Sequence, residues 1–130
     1  MIEQATEPAP SILIIDDGSL LGEQCLRLLR RDSWQVSRAL GWWAGIRRAA
    51  ASNPDLVIID AGLRDVDGLS VLALLQADPA TAGLRVLLIS SRADPELWSR
   101  ARRLGAVAVL ASGELTPDRL ALYAGRALVR

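Results

Sequence analysis

The sequence has no histidine and no lysine, and Cys25 is its single cysteine. Without histidine, imidazole-based metal sites and histidine-dependent catalytic triads are excluded. Without lysine, every basic side chain is arginine and no lysine can take a catalytic role. One thiol rules out an internal disulfide and a cysteine-built zinc site. Cys25 falls in an apolar helical row and reads as a small buried hydrophobe. Net charge is missing too: fifteen basic residues balance fifteen acidic ones, so bulk electrostatics point to neither a nucleic-acid nor a membrane partner. No apolar run approaches the ~20 residues that span a bilayer. The opening MIEQATEPAP lacks the basic-then-apolar order of a signal peptide. The expectation is a soluble, cytoplasmic chain.

What is present suits one domain. A length of 130 residues, 51% of them hydrophobic, supplies one buried core. Residues 1–10 are polar with two prolines and read as a flexible leader, leaving 11–130 as the domain. There, short apolar runs alternate with helical patterns. Ser11 to Ile15 is a β-rich run ended by Asp16, Asp17 and Gly18. The helix that follows places Leu21, Cys25 and Leu28 inward, with Arg27, Arg30 and Arg31 mostly outward. Trp34 to Ser37 alternates apolar and polar, as an edge strand does. A second helix covers roughly Trp42 to Ala51. Leu56 to Ile59 and Val86 to Ile89 are apolar throughout, which suits central strands covered on both faces. Gly68 opens a third helix with Leu69, Leu72 and Leu75 inward. Asp94-Pro95-Glu96 starts the fourth, with Leu97, Ala101 and Leu104 as its buried stripe. Gly105 ends it, Ala106 to Leu110 forms the fifth strand, and Thr116-Pro117 caps a last helix running to about Val129.

Five strands and five helices in strict alternation predict an α/β fold, a doubly wound parallel sheet with right-handed crossovers. An alternating second strand belongs at an edge and the continuous third and fourth inside, giving the order 2-1-3-4-5.

Ligands of such sheets bind outside the carboxyl ends of the strands, near the switch point. The residues that converge there are Asp16, Asp17, Asp60, Ser90 and Ser112. Three carboxylates at one spot repel, so they share a proton or a cation neutralises them. A hard oxygen site with few protein ligands is what Mg²⁺ accepts. A carboxylate beside such an ion can attack a phosphoryl group and form an acyl phosphate.

Stretches of the chain also resemble the receiver domains of bacterial two-component response regulators. The matching segments are ILIIDD, PDLVIID with the following AGLRDVDGL, RVLLISS and LGAVAVL. The resemblance runs from about Ser11 to Arg130 and implies a flavodoxin-like receiver fold. It implies that Asp17 and Asp60 bind Mg²⁺ directly, with Asp16 helping through water and the Gly62 carbonyl as a further ligand. Asp60 would accept a phosphoryl group from a histidine kinase or phosphotransfer partner, and Ser90 would supply the hydroxyl that swings toward it. On the plainer reading, Ser90 only satisfies backbone groups at the strand end.

The chain departs from the family pattern at four positions. Ser112 and Gly113 stand where a lysine followed by a proline is usual, Arg64 where a proline is usual, and Val109 where an aromatic residue is usual. The lysine's charge-assisted contact is worth about 1.5–3 kcal/mol, against roughly 5.5 kcal/mol needed to swing a two-state switch fully. The expectation is a weakened switch, with Arg64 or Arg92 as candidate replacement charges.

Trp42 and Trp43 are adjacent, so one helix cannot bury both on one stripe. Trp34 is expected beside the edge strand. Trp98 and Tyr123, with an apolar fifth strand at the sheet edge, suggest a homodimer or partner surface on the fourth helix, fifth strand and fifth helix. The arginine clusters read as solvated helix faces, so no nucleic acid or membrane is expected to bind. The leading function is a phosphorylated signalling module and not an enzyme. The alternative is a phosphorylation-independent pseudo-receiver that acts through protein contacts. Aspartate-nucleophile phosphatases and flavodoxins share the layout, but the first place a second Asp two residues after the nucleophile. The second need a hydroxyl- and Gly-rich loop where this chain has Asp16 and Asp17.

Overall fold

The computed structural model describes residues 9–30, 33–64, 66–92 and 94–129. The expected leader, 1–10, lies almost wholly outside the described residues. The first apolar run forms β1 (Ser11–Asp16), and its helix is α1 (Leu20–Leu29). There follow β2 (Gln35–Leu40), α2 (Trp42–Ser52), β3 (Leu56–Asp60) and α3 (Gly68–Ala77). The chain continues with β4 (Val86–Ser90), α4 (Pro95–Arg103), β5 (Ala108–Ala111), a 3₁₀ turn (Ser112–Glu114) and α5 (Pro117–Leu128). The five strands are all parallel and lie in the order β2-β1-β3-β4-β5, as the pattern of edge and central runs predicts.

Alternation along the strands divides the core into two layers. Leu13, Ile15, Val57, Ile59 and Leu88 face α2, α3 and α4. Ile12, Ile14, Ile58, Leu87 and Ile89 face α1 and α5. Such strands, buried on both sides, have no polar face to alternate with, hence their unbroken apolar runs. Helix starts are set locally. The side chains of Ser19, Asp67, Asp94 and Thr116 each accept a hydrogen bond from an amide in the first turn of α1, α3, α4 and α5.

Three details differ from the sequence reading. β2 runs on past Ser37 to Leu40, because its register with β1 continues until Asp16 meets Leu40. β5 starts at Ala108, since the amide of Ala106 still bonds back to Ala101 at the end of α4. The inward row of α1 is Gly22, Cys25 and Leu29, about one position round from the expected stripe, with Leu21 and Leu28 at its margins. The apolar composition of β5 has a plain cause: Val109 packs toward one sheet face and Leu110 toward the other, and both are buried. Trp42 packs partly into the core while Trp43 stands exposed. Trp34 lies half-buried against the layer beneath α1 and α5.

Candidate functional site at the strand ends

β1 and β3 are neighbours at the centre of the sheet, and the chain leaves them in opposite directions. That makes a crevice at their carboxyl ends. Asp60 ends β3 and is half-buried there. Its Oδ1 accepts from the Gly62 amide at 2.8 Å and its Oδ2 from the Ser19 hydroxyl at 3.1 Å. Asp17 follows β1 directly, and its Oδ2 lies 3.4 Å from Nε of Arg64. One of the two arginines proposed as replacement charges therefore reaches the acidic pocket, although its side chain is 80% exposed.

Asp16 behaves differently from the sequence expectation. It is fully buried, and Arg38 grips it with both arms of a bidentate pair, Nε to Oδ1 at 2.8 Å and Nη2 to Oδ2 at 2.6 Å. The Gly18 amide adds a third hydrogen bond, to Oδ2, at 3.0 Å. Asp16 is thus held by a guanidinium. Among the described residues, no three Asp, Glu or Cys side chains gather as a group that could hold a metal ion. The pairing also holds the guanidinium of Arg38 above its ordinary pKa, chiefly through the hydrogen bond to Asp16.

Ser90, at the end of β4, is buried. Its hydroxyl accepts from the Arg92 amide at 3.0 Å and donates to the Arg92 carbonyl at 3.2 Å. It closes the start of the β4–α4 loop. Ser90 also lines a cleft of roughly 320 Å³ with Ala61, Gly68, Arg92, Leu97 and Arg100. Ser112 is half-buried at the start of the 3₁₀ turn. Val109 is buried beneath the α4 side of the sheet, so no ring occupies that position. Trp98 is exposed with Arg102 stacked over its ring at 4.6 Å. Trp98, Val109 and Tyr123 share the wall of one groove.

Sequence reading missed Ser19 and Arg38. Ser19 was legible in principle as a cap residue just before an apolar helix. Arg38 was not, because its partner 22 residues away is set by the pairing of β2 with β1 and not by any local pattern. The register sets Arg38 beside Ile14, two residues short of Asp16 on the same sheet face.

A family model described as the response regulator receiver domain matches residues 12–120. The chain belongs to that family. Receivers are the signalling modules of two-component systems, working with histidine kinases or phosphotransfer proteins. The chain is 33% identical over 82 residues to the DNA-binding dual master transcriptional regulator RpaA of Synechocystis, a match covering 63% of this chain and 34% of RpaA. It is 30% identical over 86 residues to the transcriptional regulatory protein PrrA of Mycobacterium leprae, covering 66% of this chain and 37% of PrrA. The chain therefore spans about a third of the length of these curated relatives. Among solved structures, the chemotaxis protein CheY4 of Vibrio cholerae superposes with a TM-score of 0.84 at 18% identity, over 92% of this chain and 99% of that one. A CheY-like receiver domain protein from Methanospirillum hungatei gives 0.82 at 20% identity, over 92% and 94%. At such identities these two likenesses speak for the fold alone. Among the described residues no helix is long and apolar enough to cross a membrane.

Proposed function

We propose that this receiver accepts a phosphoryl group on Asp60 and signals through protein contacts, with a weakened switch. The observation that carries this reading is the setting of Asp60. It ends the central strand β3 at the switch point, half-exposed, with both oxygens oriented by Ser19 and Gly62. A carboxylate so held is fixed for attack yet open to a partner. The bond formed joins an Asp60 oxygen to phosphorus, and the bond broken is that from phosphorus to the donor's nitrogen or oxygen.

The donor set fits Mg²⁺. Asp17 and Asp60 are hard oxygen ligands at one crevice, and this ion commonly takes one or two carboxylates, keeping water and phosphate oxygens for the rest. The Gly62 carbonyl is the proposed third protein ligand. Bound there, the ion would neutralise negative charge on the phosphoryl oxygens. Arg64 already lies against Asp17 and would turn to the phosphoryl group, in place of the lysine whose position is Ser112. Ser90 would have to leave the Arg92 backbone to reach it. The exposed Trp98 beside Tyr123 supports partner binding or homodimerisation on α4, β5 and α5. A histidine kinase or phosphotransfer protein in the cytoplasm is the proposed donor.

The test is incubation with Mg²⁺ and a small phosphodonor, followed by intact mass. One added phosphoryl group that disappears in Asp60→Asn is expected, and Arg64→Ala should lower its yield. A second reading, the phosphorylation-independent pseudo-receiver, is favoured by the commitment of Asp16 to Arg38 and by Ser112. Absence of any adduct would decide for it.

A further inference from the structure

The most buried acid of the pocket has its charge matched from within the fold. Asp16 sits at the end of β1 with no exposure, and both of its oxygens are taken by Arg38. Arg38 also donates from Nη2 to the Ser19 carbonyl at 3.0 Å, tying β2 to the loop that enters α1. The space is built for this pair. A Cβ at Gly22 would stand 2.1 Å from Oδ2 of Asp16, so only glycine lets α1 pass over the carboxylate. Among the described residues no buried side-chain nitrogen or oxygen lacks a partner, so the compartment is complete as it stands.

A guanidinium fork and a divalent cation answer the same need, since each relieves repulsion between neighbouring carboxylates. When Asp16 is matched by Arg38, the crevice presents Asp17 and Asp60 as its available acids. We propose that Arg38 is a positioning residue that withdraws Asp16 from the cation site, so that the chain binds Mg²⁺ weakly through Asp17 and Asp60. The inference rests on the receiver reading of that site and adds to it an internal brake on metal binding.

The experiment is calorimetric titration of the full chain with Mg²⁺ alone, with thermal unfolding in chelator as the check on folding. Arg38→Gln leaves the Asp16 charge unmatched and should tighten Mg²⁺ binding by about tenfold or more. The double variant Asp16→Asn with Arg38→Gln replaces the ion pair by neutral amides of similar shape. It should bind Mg²⁺ as the wild type does, while Asp17→Asn should not. Equal affinity in the wild type and Arg38→Gln would overturn the inference and leave the receiver reading intact. A double variant as weak as Asp17→Asn would also overturn it, because Asp16 would then be a ligand. No Mg²⁺ binding in any form would overturn the inference together with the metal part of the receiver reading. Should Arg38→Gln fail to fold, Arg38→Lys and the double variant decide. Lysine keeps the charge but loses the fork, so an intermediate gain is expected and no gain overturns the proposal.

Discussion

The Ser19 hydroxyl donates to Oδ2 of Asp60 at 3.1 Å while accepting from the Gly22 amide at 3.3 Å. One oxygen therefore caps α1 and orients the proposed phosphoryl acceptor 41 residues away in sequence. Removing a side-chain N-cap costs about 1 kcal/mol. Ser19→Ala should lower stability by that amount in a denaturant titration, while Asp60 keeps its bond from Gly62 and still reacts with phosphodonor. Complete loss of the adduct in a folded Ser19→Ala protein would give the hydroxyl a larger role.

Two helix glycines make opposite predictions. At Gly22 an added methyl would collide with Asp16 and push it off Arg38, whereas at Gly125 in α5 nothing lies within 4 Å. Overpacking of this kind costs about 1–3 kcal/mol. Ala at an open helical site stabilises by about 0.5–1 kcal/mol. Gly22→Ala should therefore unfold at lower denaturant and Gly125→Ala at higher, measured by the same transition. Equal midpoints for the two would contradict the close approach of α1 to Asp16.

Cys25 lies on the buried inward face of α1, and burial pushes its thiol up to about 12, with the charges of Asp60 and Asp16 adding to the effect. The folded state thus favours the neutral thiol. An acidic group whose folded pKa is raised binds its proton longer in the folded state than in the unfolded one. Its contribution is intact below the unfolded thiol's value near 9 and is lost as pH rises toward about 12. Stability should fall more steeply across that window in the wild type than in Cys25→Ala. Thiol reagents at neutral pH should label Cys25 only after denaturant is added, and rapid native labelling would contradict its burial.

Trp98 is 44% exposed and carries Arg102 over its ring. An exposed cation–π contact is worth about 0.5–1 kcal/mol, so Trp98→Ala should change stability little. If the face formed by α4, β5 and α5 joins two copies, the same variant should abolish concentration-dependent association in sedimentation. A wild-type chain that stays monomeric at high concentration would remove the homodimer from consideration.

Much of the architecture was legible because its signals are local. The unbroken LVII and VLLI runs marked strands covered on both faces, and Asp94-Pro95 and Thr116-Pro117 marked helix starts. The adjacency of Trp42 and Trp43 foretold one covered and one exposed ring, because helix geometry separates neighbours by about 100°. The inward face of α1 was harder. Leu21 and Leu28 outrank Gly22 in hydrophobicity, yet the row against the sheet needs a residue small enough to clear Asp16.

The site divides along the same line. Position at a strand end was readable for Asp16, Asp17, Asp60 and Ser90, since each follows an apolar run. Partnership was not. Asp16 meets Arg38 only because parallel pairing sets β2 beside β1 in a particular register, and Ser90 turns to Arg92 only because of the loop's path.

The sequence alone determined a parallel α/β sheet with its order of strands, and a row of acids and hydroxyls at one end. Hydrophobic period and helix caps act over a few residues and need no knowledge of distant neighbours. The tertiary structure alone decided which charge each acid meets, because an ion pair between residues 22 apart depends on strand register and on a gap that one glycine leaves open.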